Sequence, residues 1–573
     1  MKLSKKLLSL ALCATCATST LSGLTACGGR QANQLVEKGK TQLYVKYYKG
    51  GLGAEWIDTI IADFETKYAN YSFEEGKTGV QIMKEFEKSN IQADLVESSP
   101  NQVFILESMN YYEFYSKGVM LDLTELVKGQ AVTGPNATES GKTIESKMSD
   151  ARKDFYNMGT DSDPKYYALP FYESSLNFIY NVDLFEKKGW YFAEGKTAEG
   201  MTEEQQKDYG MVQPLFLEPY STEAKSYGPD NVKGTQDDGL PATYADFQAL
   251  LTLINSSGAI PFIGNGYSTD YLSSLATELW ATASGLDEIS LNLSLEGTSN
   301  TILDLDNNGN VQYNEDGSVK YLENYEIKPS NAYMLHQQKG KLDAIKLVKM
   351  LVEGGYYFDS FSPSFSHRMA QSYFINGYEK DLIDKEVAML VDGSWWNSEA
   401  RSDYASNEEK MTKRFAFMPI PKPDASQLGE NTVRVSERSS LMFIKKNCEK
   451  NVLPAALAFM SYLQSDEAMN TFSLHTDMLR AMDYEITSEN LSKMTYFGKS
   501  NYEMTRAATT DWIDWVPTSE TAMKNESALD TNKWGFSNGT SSNPFIYYTT
   551  NKTAPITYFN SIISYYKDSL NLK

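Results

Sequence analysis

The chain has 573 residues with 53 Lys and Arg against 75 Asp and Glu, a formal charge of -22. Phosphate recognition needs clustered cations, so this balance argues against nucleic acid as a partner and reads instead as a solvated acidic surface. Cys13, Cys16 and Cys27 fall in the first 27 residues, which leaves Cys448 alone in the body. A lone thiol cannot staple a fold, so the body must rest on a hydrophobic core, and its length suggests two or more structural units.

The first 27 residues carry the strongest local signal. Lys2, Lys5 and Lys6 precede an apolar run from Leu7 to Ala14 that is too short to span a bilayer, and Leu24-Thr25-Ala26-Cys27 follows. This segment resembles a bacterial lipoprotein signal. The resemblance implies cleavage before Cys27, lipidation of that cysteine and a body on the extracellular face of the membrane, tethered through residues 28 to 34. Cleavage removes three lysines and no acid, taking the charge to -25. An ordinary signal peptide with an incidental cysteine is the alternative. No second segment approaches the apolar length of a membrane span, so the body is expected to be soluble.

Downstream, residues 42 to 48 alternate as a strand does, and Gly50-Gly51-Leu52-Gly53 ends them. Trp56, Ile57, Ile60, Ile61, Phe64 and Tyr68 then recur at helical spacing over 55 to 69. Ala93-Asp94-Leu95-Val96 reads as another strand, ending at Ser98-Ser99-Pro100-Asn101. Strand and helix alternate here as in an α/β lobe, where ligands sit beyond the carboxyl ends of strands. Segments 193 to 240 and 286 to 330 are rich in Gly, polar and turn residues and read as insertions. Helical periodicity returns at 341 to 352, strands are expected at 386 to 391 and 415 to 420, and a helix opened by Pro454 runs to 463.

Several segments, in order, carry a family resemblance. Residues 170 to 181 read PFYESSLNFIYN and are followed by VDLF; 387 to 396 read VAMLVDGSWW; 417 to 421 read FMPIP; and 441 to 467 end in SDE. Together with the lipobox, they resemble the extracellular solute-binding proteins of carbohydrate ABC importers, family 1, the maltodextrin-binding group. The resemblance implies an α/β fold of the two-lobe periplasmic-binding-protein type (type II), with discontinuous lobes and a hinge. Lobe one would be 41 to 170 plus 435 to 500, and lobe two 171 to 434 plus 501 to 573. It also implies a monomeric binder that holds an oligosaccharide between the lobes and hands it to an ABC permease, with membrane contact through the lipid alone and no cofactor required.

Sugar recognition needs flat apolar faces and a few fixed polar groups. Trp395 and Trp396 follow a strand and a glycine turn; on an extended segment they point oppositely, so one faces the ligand, and Trp395 aligns with the family's stacking position. Lys49, with Tyr47 and Tyr48, matches approximately the family's polar contacts after the first strand. A solvated lysine beside two core tyrosines fits the same letters. The family's hinge carboxylate falls on Ser174, with Glu173 one residue away, a departure that weakens maltodextrin as the ligand. Tyr172, Ser99, Asn101, Tyr267, Tyr271 and Asp392 are further candidates at strand ends or adjoining loops, and Trp512 and Trp515 fall in the late crossing region, with core packing as the alternative.

Residues 304 to 315 place Asp304, Asp306, Asn308, Asn310, Gln312 and Glu315 around Gly309 in the order of a calcium loop, similar to the helix-free loop of the periplasmic galactose-binding protein. The same letters fit a short β meander with turns at Asn308-Gly309 and Asp316-Gly317. Asp230 to Gly239, with Asp237 and Asp238, is a weaker acidic turn of the same kind, and metal in either would be structural. A lipoprotein glycosidase remains an alternative function, because a carboxylate pair is invisible in one sequence, and so does a glycan adhesin. His336, His367 and His475 lie in no metal or catalytic pattern.

Overall fold

The computed structural model describes residues 35–87, 91–107, 110–129, 139, 141–160, 162–201, 215–266, 269–357, 362, 364–436, 440–570 and 572. The expectations for the leader, Cys27 and Tyr267 lie outside them.

β1 (Thr41–Tyr48) buries every second residue, so Leu43, Val45 and Tyr47 face a core while Tyr44, Lys46 and Tyr48 stand half-exposed on the other side. The Glu55–Lys67 helix follows, with Glu55 and Asp58 in its first turn and Lys67 in its last, complementing its dipole. Its buried stripe, Trp56, Ile57, Ile60, Ile61 and Phe64, packs down on β1; each such side chain stabilises by about 1.5–3 kcal/mol. β2 (Val80–Glu87) and β3 (Val103–Glu107) flank β1 in parallel, β4 (Leu169–Pro170) lies at the far edge, and β12 (Ser440–Ile444) inserts antiparallel between β3 and β4. The five-stranded order is β2-β1-β3-β12-β4. One core gathers residues from 43 to 172 with residues from 441 to 494 and Val516.

A second, four-stranded sheet has the order β10-β5-β9-β6, from β5 (Leu176–Asn181), β6 (Ile260–Ile263), β9 (Val387–Gly393) and β10 (Phe415–Phe417). Both its faces are covered. Phe178, Tyr180, Met389 and Val391 point into one cluster, and the intervening Ile179 and Leu390 point into another. The larger cluster extends through the Asp270–Ser284, Lys339–Glu353 and Pro555–Ser569 helices. The chain is therefore a two-lobe α/β protein with discontinuous lobes. It passes between the two cores at 172–176, between β11 (Thr432–Ser436) and β12, and between Met494 and Phe497; β13 (Thr510–Asp514) pairs in parallel with β11 as a separate two-stranded ribbon at the junction.

The structure corrects several local expectations. Ala93–Leu95 is a 3₁₀ turn, and the strand begins only at Val103, after Pro100. Within 286 to 330 there is a Leu286–Ser294 helix, and β7 (Gly297–Ser299) pairs with β8 (Tyr325–Ile327). At 304 to 321 the bridges Leu303–Tyr321, Leu305–Val311 and Tyr313–Val319 fold the chain into tight turns, with Gly309 and Gly317 both at positive φ.

Candidate functional site

The ends of β1 and β9 and the three crossings converge on one region. Gly393 closes β9, and Trp395 enters the Trp396–Glu399 helical turn with φ -81° and ψ -15°. The tryptophans therefore diverge by a helical step and not by the strand alternation expected. Trp396 is 0% exposed and wedged against Phe374, Phe415 and Phe497, which makes it a core residue. Trp395 stays half-buried and packs against the apolar clusters of both lobes, the position of a side chain at their junction. Its indole N–H donates to Tyr271 Oη at 3.1 Å, the rings meet edge to face at 5.7 Å, and His367 lies nearly parallel to Tyr271.

Beside it, the crossing segments form a polar interior. Arg434 on β11 is buried, pairs in register with Trp512 on β13, and holds its guanidinium 5.4 Å from that ring. It donates to Ser175 Oγ, to Thr505 Oγ1 at 2.9 Å and to Asn501 Oδ1 at 3.2 Å. Burial pulls its pKa down to about 10, partly offset by Glu278 and Glu173. Ser174 N–H donates to Ser436 Oγ, and Ser394 N–H donates to Ser175 O at 2.9 Å, tying the end of β9 to the first crossing. Four buried polar atoms here, Ser174 Oγ, Ser394 Oγ, Glu173 Oε2 and Trp512 Nε1, have no hydrogen-bond partner among the described residues. A buried polar group ordinarily has a partner, so these atoms are candidates for bonding a water or a ligand.

Arg152 fastens the same crossings from the first lobe. Its guanidinium reaches Asp514 at 2.7 and 3.0 Å and Glu173 at 3.2 Å. Burial alone would lower its pKa, but the two carboxylates hold it above the ordinary value. A cavity of about 20 Å³ among Arg152, Tyr172, Ser436, Ser440 and Asp514 has room for one water molecule.

The chain matches the bacterial extracellular solute-binding protein family over residues 59–482. It belongs to that family. No curated protein matches the chain. Among solved structures, the solute-binding protein is similar to a chitin oligosaccharide binding protein, at 14% identity and TM-score 0.53 over 92% of this chain and 99% of that one. It is similar to RafE from Streptococcus pneumoniae, at 15% identity and TM-score 0.52 over 93% and 99%. A probable secreted solute-binding lipoprotein from Streptomyces coelicolor aligns at 12% identity and TM-score 0.51 over 93% and 100%. At these identities the likeness is one of fold.

The remaining candidates of the solute-binding protein separate by position. Tyr48 and Lys49 stand half-exposed at the end of β1, with Lys49 Nζ 5.3 Å from the Phe86 ring centre. Tyr47 points the other way into the core against Trp56, because residues alternate along β1. Ser99 and Asn101 precede β3 and so lie at its amino end, away from the strand ends that bear Lys49; Asn101 is buried on Glu85 and Ser99. Tyr172 is buried against Phe171, and Glu173 is engaged by Arg152. Trp515 is a core residue whose indole N–H donates to Leu529 O. Asp392 is buried under the Trp395 turn, accepting from Gly393 N and from Gln371 Nε2; burial, then Glu399 nearby, pushes its pKa well up.

In the 304–315 loop, Asp306 accepts from the Asn308 and Asn310 backbone N–H groups, and Asp304 is engaged by Lys320 and Gln312. Asn308, Asn310 and Glu315 are exposed or half-exposed at the turns. Among the described residues, no group of three or more His, Cys, Asp or Glu side chains gathers as a metal set. Sequence reasoning missed Arg434 and Ser394. A lone arginine inside the alternation Thr-Val-Arg-Val-Ser was the available signal for the first; for the second there was none beyond its place in the turn.

Proposed function

We propose that this chain is the lipid-anchored receptor of an ABC importer, capturing an oligosaccharide between its lobes as a monomer and delivering it to the permease without chemical change. The observation that carries the reading is Trp395, which contacts both apolar cores and directly follows Ser394, whose buried hydroxyl has no partner among the described residues. An indole face with hydroxyl donors and acceptors suits a sugar ring with its C–H face and hydroxyl rim. Lys49, Tyr48 and Tyr271 complete the proposed contact set, and the lobe boundaries at 170/171, 434/435 and 500/501 belong to the same proposal. The fold neighbours support it: their descriptions name a chitin oligosaccharide binder and RafE in complex with raffinose. Closure follows if the ligand touches both lobes only in the closed state, since that differential affinity shifts the equilibrium.

The test is thermal unfolding against oligosaccharides of varied linkage, with product analysis alongside. At a hundredfold excess over its Kd, a ligand should stabilise by about 2.7 kcal/mol. Stabilisation by one glycan class with the sugar recovered intact is the expected result. Turnover of the sugar would replace the receptor by a glycosidase, and no response to any sugar would move the ligand outside carbohydrates.

A further inference from the structure

The turn after β1 is shaped by side chains of the opposite lobe. Gly53 holds φ +78°, a conformation L side chains rarely adopt, and a Cβ there would overlap the Arg401 guanidinium. A Cβ on Gly51 would stand 2.8 Å from Glu399 Cβ. Arg401 is aimed at this space: its Nε donates to Ser398 O at 2.8 Å, leaving Nη2 3.4 Å from Gly51 O and Nη1 3.8 Å from Glu55 Oε1. Glu399 is held in turn by Gln371 Nε2 at 2.8 Å, and its carbonyl accepts from Arg368 Nη1.

The two sides belong to different lobes. Leu52, within the glycine turn, is buried in the first-lobe core, and Ala400, between Glu399 and Arg401, is buried against the second sheet. The turn begins directly after Lys49, and Glu399 lies four residues beyond Trp395, so both halves are continuous with the proposed sugar contacts.

We propose that Arg401 is a closure latch, seated between Gly51 and Gly53, that sets how far the closed state is favoured and thereby which ligands are selected. This rests on the receptor reading above. A ligand bulky enough to hold the 50–53 turn away from residues 396–402 forfeits the latch, so affinity falls for reasons no ligand atom reports directly. Arg401 is a positioning residue here; its partners are mostly backbone. The Arg401 side chain is 36% exposed, so solvent screens the contact, and its loss should lower the closed-to-open ratio by about three- to tenfold.

The experiment needs no sugar, so its failure is distinguishable from failure of the carbohydrate reading. X-ray scattering and amide hydrogen exchange are compared for the ligand-free full chain and Arg401→Ala, whose exposed position leaves the cores intact. The expected result is a larger radius of gyration with exchange three- to tenfold faster over residues 50 to 55, while exchange in the Glu55–Lys67 helix beyond its first turn is unchanged. Gly53→Ala keeps the arginine but fills its seat and should expand the molecule likewise. An unchanged radius for Arg401→Ala overturns the latch, even if local exchange quickens, because the contact would then not govern closure.

Discussion

Two buried cations of this protein, Arg152 at the crossings and Lys341 in the second lobe, have opposite surroundings. At the crossings, Arg152 keeps its charge between Asp514 and Glu173, within a polar interior that retains unsatisfied oxygens. In the helical layer of the second lobe, Lys341 has no carboxylate partner among the described residues; its amine meets His336 Nδ1 at 2.7 Å and Gly535 O at 2.6 Å, 3.6 Å from the Trp280 ring centre. Burial pushes the pKa of Lys341 well down, and burial together with Lys341 does the same to His336. The difference teaches where this fold needs ionic geometry. Two carboxylates hold the Arg152 charge where chain segments of two lobes meet, whereas among the packed helices burial without a carboxylate loosens the hold of Lys341 on its proton.

The largest effect should come from breaking the ionic side. Arg152→Ala strands the buried Glu173 and the half-buried Asp514 and should cost about 3–5 kcal/mol in denaturant unfolding. Next, Trp395→Ala should weaken ligand binding by about 2–3 kcal/mol in calorimetry with little loss of stability, since it packs at the junction; the buried neighbour should reverse the pattern, Trp396→Ala costing about 3–5 kcal/mol of stability. Both outcomes follow from which lobe surface each indole fills, and equal behaviour of the two would erase the distinction between junction and core.

The Lys341 side of the comparison is tested by pH. Because the folded pKa of Lys341 lies below its unfolded value, the unfolded chain binds the extra proton, and stability should fall as pH drops below about 10.5 toward the folded value, by at most about 1.4 kcal/mol per unit. Lys341→Met should flatten that limb, measured as the denaturation midpoint between pH 10 and pH 8. The smallest effect concerns calcium at 304–315. With Asp304 held by Lys320 and Asp306 spent on its own turn, millimolar calcium should raise the melting temperature by less than about 1 °C; a larger rise would restore the metal site.

Much of the scaffold was legible because it is written in local periodicity. The alternation of Leu43, Val45 and Tyr47, the stripe from Trp56 to Phe64 and Pro454 at the first turn of the Leu453–Leu463 helix each need only neighbouring residues. Ala93 to Val96 was misleading because four residues suit a 3₁₀ turn as well as a strand, and that error carried Ser99 and Asn101 to the wrong end of β3. The crossing network was illegible for a different reason. Arg152 and Asp514 are 362 positions apart, and nothing around either residue announces the other. Trp395 and Trp396 show both limits: the pair was visible, but their roles depend on a helical step that the glycine turn alone does not disclose.

The insertion of β12 between β3 and β4 bears on how the protein is made. β4 ends at Pro170 and β12 begins at Ser440, so roughly 270 residues must be synthesised before the first-lobe sheet receives a strand from its interior; at about 5–20 residues per second that is roughly 15–50 s. Throughout that interval, the apolar edge of β3, with Phe104, Ile105 and Leu106, lacks the strand it will pair with. The order of the strands thus gives the nascent chain a period of exposed edge that a continuous lobe would not have.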